Sequence, residues 1–456
     1  MKQSLSRRAF AAGLCSPLFR AFGQQNCAPP AGGAPLAFSI PAGQTNIQRK
    51  PISALSANEV TRLSLAYQKL RDLTASNPND PRGWMQQANV HCFQCGGNPA
   101  GNDIHQSWLF FPWHRAYLYY HERILGKLIA DPTFRLPYWD WDLTSSRNLP
   151  GIYRPQSVNN TSNSLFDANR DVNGGQSMPA FIFPANNNPM NSPTFASFGG
   201  NSTAGGSLEN GPHGLIHVWT GDQSVSQGKP DMGVLAMAAR DPIFFAHHCN
   251  IDRLWAEWLR RDPVNHKNPT SAAWLGASFR FFDEESKLRR IRIKDVLNSA
   301  SNLGFNYPPG AALSAPSPTK KIPLRLDPVT KAIKLPPEFK SMLNANSDIN
   351  VNRSLILEDA VLPTKTGLYF VFAGEPTPAG ADPNGAPNYL GYVALIKGEH
   401  HSHEGRSAVV LKPTARFIEL AGAAQGANLT LTPATASGSQ GGAGTRLSFS
   451  NVYVVE

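Results

Sequence analysis

Two sets of three histidines, His91, His105 and His114, then His213, His217 and His248, lie in two aromatic segments of this 456-residue chain. Imidazole suits zinc, copper, iron and nickel, whereas structural zinc favours thiolates and magnesium or calcium favour carboxylates. Six imidazoles drawn from two segments are the ligand set of a paired-metal site, with copper the leading choice. A lone histidine among aromatics is usually a hydrogen-bonded core residue. Six in this arrangement favour the site instead.

The second set has the tighter spacing. In Glu209-Asn-Gly-Pro-His-Gly-Leu-Ile-His217 two histidines stand at i and i+4, on one helix face, where both can point at one ion. Asp241-Pro-Ile-Phe-Phe-Ala-His-His-Cys-Asn-Ile-Asp-Arg-Leu-Trp255 predicts another helix. Adjacent helical residues face directions about 100° apart, so only one of His247 and His248 can join that ion. The other is expected to pack elsewhere. In Asp103-Ile-His-Gln-Ser-Trp-Leu-Phe-Phe-Pro-Trp-His-Arg115 the spacing is looser. Pro112 suits a helix start, and the apolar rhythm from His114 to Ile129 predicts a buried helix with His114 in its first turn. His121 and His266 lack a partner at metal spacing and read as structural or exposed.

Phe110-Phe-Pro-Trp-His-Arg115, Pro212-His-Gly-Leu-Ile-His-Val-Trp-Thr-Gly221 and Asp241-Pro-Ile-Phe-Phe-Ala-His-His248 resemble the two copper-binding regions of the type-3 copper polyphenol oxidases, the tyrosinase and catechol oxidase family. The plant-type branch is the best match. Trp274-Leu-Gly-Ala-Ser-Phe-Arg-Phe-Phe-Asp-Glu284 and Leu303-Gly-Phe-Asn-Tyr307 are similar to segments that follow the second copper region there. The likeness runs from about Cys27 to Glu456 and weakens in the last third. It implies two copper ions, one on His91, His105 and His114 and one on His213, His217 and His248, the second member of the histidine pair. The implied activity is oxidation of o-diphenols to o-quinones with O2 reduced to water, and o-hydroxylation of monophenols such as tyrosine, the chemistry of melanin. Phenolic small molecules and O2 are then the partners. A haemocyanin-like O2 carrier would use the same six ligands and is the alternative, although an export signal and a small chain fit it poorly. A binuclear zinc hydrolase would bring bridging carboxylates.

The chain has five cysteines. His91-Cys-x-x-Cys95 lacks the second Cys pair that would complete a zinc site, and its order is the reverse of a haem attachment motif. The resemblance implies a disulfide between Cys27 and Cys92 and a thioether from Cys95 to the ring of His105. A bridge closing 65 residues is worth on the order of 3 to 4 kcal/mol in the chain-entropy model. Cys249 reads as a small buried core residue.

By the same likeness Glu209 matches the family's water-holding glutamate and is the candidate base for the substrate hydroxyl. As a charge at a helix N-terminus it would also complement the dipole. Leu235 stands where plant catechol oxidases often carry a Phe gate over one copper, and a smaller side chain leaves the pocket more open. Gly214 stands where several strong tyrosinases have Asn, and its lack of a side chain leans the other way on monophenols. Asp252, on the same helical face as His248, either orients an imidazole or pairs with Arg253.

These residues need a scaffold, and the composition, 41% hydrophobic and 16% charged, is that of a globular chain large enough for two domains. Ser56-Ala-Asn-Glu59 is a capping box opening a helix with Val60, Leu63, Tyr67 and Leu70 on one face, ended by Asn77-Pro78. The metal segments add helices near 105–130, 212–218 and 243–260, and loops from 143 to 210 shape the pocket rim. From 304 to 323 the chain is a Pro-, Ala- and Ser-rich linker. Beyond it, alternation in Leu355–Leu357, Leu368–Phe372, Tyr389–Ile396, Asn428–Thr432 and Leu447–Ser450 predicts an all-β module, a sandwich. The fold class is therefore an α-helical bundle catalytic domain over 24–303 holding a binuclear copper site, then a sandwich-like β domain over 324–456. In the plant branch the comparable domain covers the active site, which implies a shielding role.

Residues 1–23 carry Arg7-Arg8 ahead of a short Ala-rich stretch, which reads as a twin-arginine signal addressed to the export machinery. Plant relatives carry chloroplast transit peptides instead, and the departure points to a bacterial protein, periplasmic or secreted. No apolar run reaches the roughly 18 residues of a membrane span. The net charge of +10 is spread without a Lys/Arg run, which argues against a nucleic-acid partner.

Overall fold

In a computed structural model, residues 27–95, 103–170, 172–178, 189–221, 231–310, 321–336, 354–363, 367–381, 383, 386–395, 406–411, 413–434 and 440–455 are described. The twin-arginine segment lies outside them. The Ser56 side chain accepts the Glu59 N–H and the Glu59 carboxylate accepts the Ser56 N–H, which opens α1 (Ala57–Ser76). Helix α1 buries Leu63, Tyr67 and Leu70 as the periodicity predicts, adds Ala66, leaves Val60 half-buried, and ends at Asn77. Helix α2 (Trp84–Gln94) is not among the helices that spacing and periodicity predict. It is short, mixed in polarity and preceded by Gly83 with no side-chain cap.

Helix α3 (Phe110–Leu128) begins two residues before Pro112. Proline stands third in the helix, where its missing N–H has no intrahelical acceptor to lose, so His114 falls in the second turn rather than the first. A short α4 (Phe195–Gly199) precedes a π-helical turn, Glu209–His213, that leads into α5 (Gly214–Thr220). Gly211 leaves helical geometry there (φ −112°, ψ −110°) beside Pro212, ahead of both histidines, and the backbone is helical from His213 into α5, so His213 and His217 share one face as their i and i+4 spacing predicts. Helix α6 (Ile243–Arg261) packs on α3, which also touches α1.

A buried polar network ties these helices together. Arg49 Nε donates to Glu122 of α3 at 2.9 Å and Arg49 Nη1 to the Tyr307 hydroxyl at 2.7 Å. Tyr307 donates to Asp252 Oδ2 of α6 at 2.7 Å, and Arg115 of α3 donates to Asp252 Oδ1 at 2.6 Å. Every charge here is paired, as burial requires. Phe305–Asn306 pairs with Ile47–Gln48, and Lys321–Pro323 is a strand, so both ends of the expected linker are structured. Average composition over 304–323 concealed the apolar anchors Phe305 and Tyr307, both buried.

The C-terminal module contains β1 (Lys321–Pro323), β2 (Ser354–Val361), β3 (Gly367–Ala373), β4 (Tyr389–Leu395), β5 (Arg406–Leu411), β6 (Leu429–Pro433), β7 (Thr445–Arg446) and β8 (Asn451–Val455). They form two antiparallel sheets, ordered β5-β2-β8-β1 and β4-β3-β6-β7. Leu355, Leu357, Val409 and Val452 of the first share one core with Val371, Val393, Leu429 and Leu431 of the second. The module is not purely β, because a helix, Ala415–Gly422, capped by Thr414, adds Phe417 and Ala421 to that core. Leu447–Ser450 joins two strands instead of forming one.

Period-2 alternation gives β3 and β4 a second apolar face. Leu368, Phe370 and Phe372 of β3 and Tyr392 and Ala394 of β4 cluster with Leu215 and Trp219 of α5. Ala408 N–H donates to the Gly205 carbonyl at 3.3 Å alongside. The β module thus sits on the segment that carries His213 and His217.

Candidate metal centre

Helix α2 supplies His91, the turn before α3 supplies His105, and α3 supplies His114. The π-turn ends in His213, α5 carries His217, and α6 carries His247 and His248. All seven rings are buried, none more than 2% exposed. One ligand atom from each of His91, His105 and His114 lies within 4.8 Å of the others, and the same holds for His213, His217, His247 and His248. The two groups adjoin, with the His114 and His248 rings stacked at 4.1 Å.

Backbone carbonyls stand behind several rings. His114 Nδ1 faces Phe110 O at 2.8 Å, His213 Nδ1 faces Glu209 O at 3.1 Å, and His217 Nδ1 faces Met232 O at 3.0 Å. A carbonyl only accepts, so each Nδ1 carries the proton and each Nε2 keeps its lone pair. His114 Nε2 and His213 Nε2 have no hydrogen-bond partner. The Nε2 atoms of His217 and His248 are 3.4 Å apart. Two imidazoles bound to one ion at about 2.0–2.1 Å and a near-tetrahedral angle bring their nitrogens to about 3.3 Å. The donor set therefore fits metal ions.

His247 departs from expectation. It does not pack elsewhere but joins the second group, with its Nδ1 3.0 Å from Trp141 Nε1. Neither Trp141 nor this bond was signalled by motif or spacing. Phe244 and Phe110 were also missed, because aromatics in apolar runs look like core. The Phe244 ring lies 4.7 Å from His91 and 4.2 Å from His248, and the Phe110 ring lies 4.7 Å from both His114 and His213. This apolar wall depresses the histidines. Burial first, then neighbouring imidazoles, holds His91, His213 and His248 well below the ordinary range, and burial brings His217 down to about 3.

Glu209 is buried, and its Oε1 accepts the Gln106 N–H at 2.7 Å. Burial pushes its carboxyl well above the usual range, against the pull of that hydrogen bond. Gly214 is covered: a Cβ there would collide with the carbonyl oxygen of Ala394 on β4. Leu235 is fully buried in the 3-10 helix Leu235–Arg240, which packs on α2. Asp252 takes neither expected role. Its partners are Arg115 and Tyr307, while Arg253 pairs with Asp142, because α6 turns Asp252 toward α3.

Cys27 and Cys92 form a disulfide across 65 residues. Cys95 and Cys249 are buried thiols, and burial raises both. His121 stacks on Phe245 at 3.6 Å, and His266 stacks on Trp258 at 4.2 Å, both away from the two groups.

Residues 81–195 and 151–261 match the common central domain of tyrosinase, and residues 268–314 match the polyphenol oxidase middle domain. The chain is 36% identical over 293 residues to the chloroplastic polyphenol oxidase E of Solanum lycopersicum, covering 57% of this chain and 49% of that protein. It thus spans about half the length of that curated relative. Recombinantly expressed latent aurone synthase, a polyphenol oxidase, superposes with a TM-score of 0.68 over 94% of both chains at 25% identity. The polyphenol oxidase of Grenache (Vitis vinifera) superposes with a TM-score of 0.53 at 33% identity, over 62% of this chain and 91% of that one.

Proposed function

The chain belongs to the tyrosinase family, in its plant polyphenol oxidase branch, and from that premise we propose that it oxidises o-diphenols to o-quinones while O2 is reduced to water. Two catechols each give up two electrons and two protons per O2, which leaves as two waters. The observation that carries this reading is the convergence of buried, neutral imidazoles in two adjoining groups, with lone pairs turned inward by the carbonyls behind them.

His91, His105 and His114 would hold one copper ion, and His213, His217 and His248 the other. When bound, such a pair supplies two one-electron redox centres with open positions for O2 and a phenol. The protein's own tasks are then distinct. Phe110 and Phe244 keep water from the rings. Glu209 accepts the proton that the substrate hydroxyl must lose, and the positive charge of bound metal would bring its carboxyl back down. A thioether from Cys95 would lock the His105 ring. Leu235 and Gly214 bear on substrate choice, the first opening the pocket toward monophenols and the second withholding a polar side chain.

The two sheets read as a sandwich that shields the site. The apolar contact of Leu215 and Trp219 with β3 and β4, and the Ala394 carbonyl over Gly214, support that role. The paired arginines Arg7-Arg8 support export to a periplasm or beyond, and among the described residues no helix is long and apolar enough to cross a membrane. Export fails as a reading if residues 1–23 do not carry a fused, folded reporter across.

The decisive experiment is O2 uptake by the purified, copper-loaded chain with catechol and with tyrosine, before and after limited proteolysis. Catechol-dependent uptake with quinone formation is expected. Reversible O2 binding without consumption would make the protein a carrier instead.

A further inference from the structure

Beyond α6 the strands Ser278–Phe282 and Leu288–Arg292 form a hairpin in which apolar residues alternate with arginines. Strand period turns Phe279, Phe281 and Ile291 inward, where all three are buried. The Phe281 ring lies 5.4 Å from Trp113 and 5.5 Å from Tyr120, which seats the hairpin on α3. The other set faces water. Arg280 stands directly opposite Arg290, Ser278 stands opposite Arg292, and Ala37 of the short parallel strand Leu36–Ala37 flanks Arg290. The three arginines are exposed. Like charges placed directly opposite each other weaken a sheet, so the Arg280 and Arg290 pair is a cost to the fold unless an anion lies against it.

The local carboxylates do not relieve it. Residues 278–295 hold six cations and four acids. Helix α3 draws two of the acids away, Glu284 to Arg123 and Glu285 to Lys127. Asp283 takes Arg289 and Asp295 takes Arg292. Arg280, Lys287, Arg290 and Lys294 are left exposed, and among the described residues none of their side chains has an ion pair or a hydrogen bond. In the sequence these cations are interrupted by Leu288, Ile291 and Ile293, so they form no run; strand pairing is what sets Arg280 beside Arg290.

We propose that this arginine face docks a linear polysaccharide of uronic acids. Arginine forks grip carboxylates in pairs of hydrogen bonds. Opposed residues stand about 5 Å apart and same-face residues along a strand about 7 Å apart, so Arg280, Arg290 and Arg292 make an open ridge of cations at short, regular intervals. A polymer with one carboxylate on every sugar can meet several of them at once. An anionic membrane is the poorer match, because this face offers only Ser278 and Ala37 besides its arginines and has no large apolar side chain to insert. Docking through the hairpin leaves the metal centre untouched, and it does not depend on the oxidase reading.

The test is binding of the full-length, copper-loaded chain to polygalacturonate and, separately, to phosphatidylglycerol vesicles. Polygalacturonate should bind, with affinity falling at least about tenfold between about 50 and 200 mM salt as counterions compete. Arg280→Gln with Arg290→Gln should weaken binding at least about tenfold at the lower salt, while the melting temperature holds or rises and catechol turnover stays unchanged. Lys267→Gln with Arg325→Gln removes the same charge from exposed positions elsewhere and should bind within about twofold of the wild type. The proposal is overturned if the wild type does not bind polygalacturonate, if the arginine variant binds as the wild type does, or if the control variant loses as much, which would make net charge the cause. Binding to the vesicles alone would also overturn it and make a membrane surface the partner.

Discussion

Trp141 donates its indole N–H to His247 Nδ1 at 3.0 Å. Indole nitrogen has no lone pair to offer, so Nδ1 must accept and the neutral ring carries its proton on Nε2. His247 therefore stands inside the second histidine group without a lone pair for an ion, while His248 Nε2 lies 3.4 Å from that of His217. His248→Ala should lose about half the bound copper and nearly all catechol oxidation. His247→Ala should keep its copper, as metal analysis of the purified variants would show. Copper lost from the His247 variant and kept in the His248 variant would reverse the assignment.

Gly214 and Ala394 make a second pair, because no side chain fits at 214 while β4 is docked. Gly214→Asn should loosen the β module, enlarge the particle in small-angle scattering and raise catechol turnover without proteolysis. Cleavage of the wild type between 311 and 320 should raise turnover severalfold at constant copper content. An unchanged particle size in the variant, with no gain on cleavage, would mean that the module does not shield the site.

Cys95 is a buried thiol ten positions before His105, the residue whose ring it is expected to join. Peptide mass spectrometry of copper-matured protein should find a Cys95 to His105 cross-link, and an alkylatable Cys95 after turnover would reject it. The Cys27 bridge is a separate matter. Cys27→Ser should lower unfolding stability by about 3 to 4 kcal/mol in denaturant titration.

The metal-free protein should be acid-sensitive. Burial brings His121 and His217 down to about 3, below the roughly 6.5 of an unfolded histidine. Between those values the unfolded chain binds protons that the folded chain excludes, so stability rises with pH and falls on acidification. Each such histidine contributes about 1.4 kcal/mol per pH unit below about pH 6.5. Urea midpoints of the apoprotein should drop between about pH 7 and pH 5, and His121→Gln should flatten that slope. A pH-independent midpoint would show these rings to be accessible to protons.

What could be read from residue order alone was local. The i and i+4 spacing of His213 and His217, the Ser56 capping box and the alternation in β3 and β4 each concern neighbours within a few residues, where helix or strand period dictates which side chains share a face. That sufficed to gather two histidine groups, and the motif likeness to place the chain in its family. Which histidine of the adjacent pair has a lone pair, what holds Glu209, why residue 214 has no side chain and which partners Asp252 takes were decided only in three dimensions. Trp141 and His247 are 106 positions apart, Gln106 and Glu209 are 103, and Arg115 and Asp252 are 137. Hydrogen-bond partners over such separations are chosen by how whole elements pack, and no local periodicity encodes that packing.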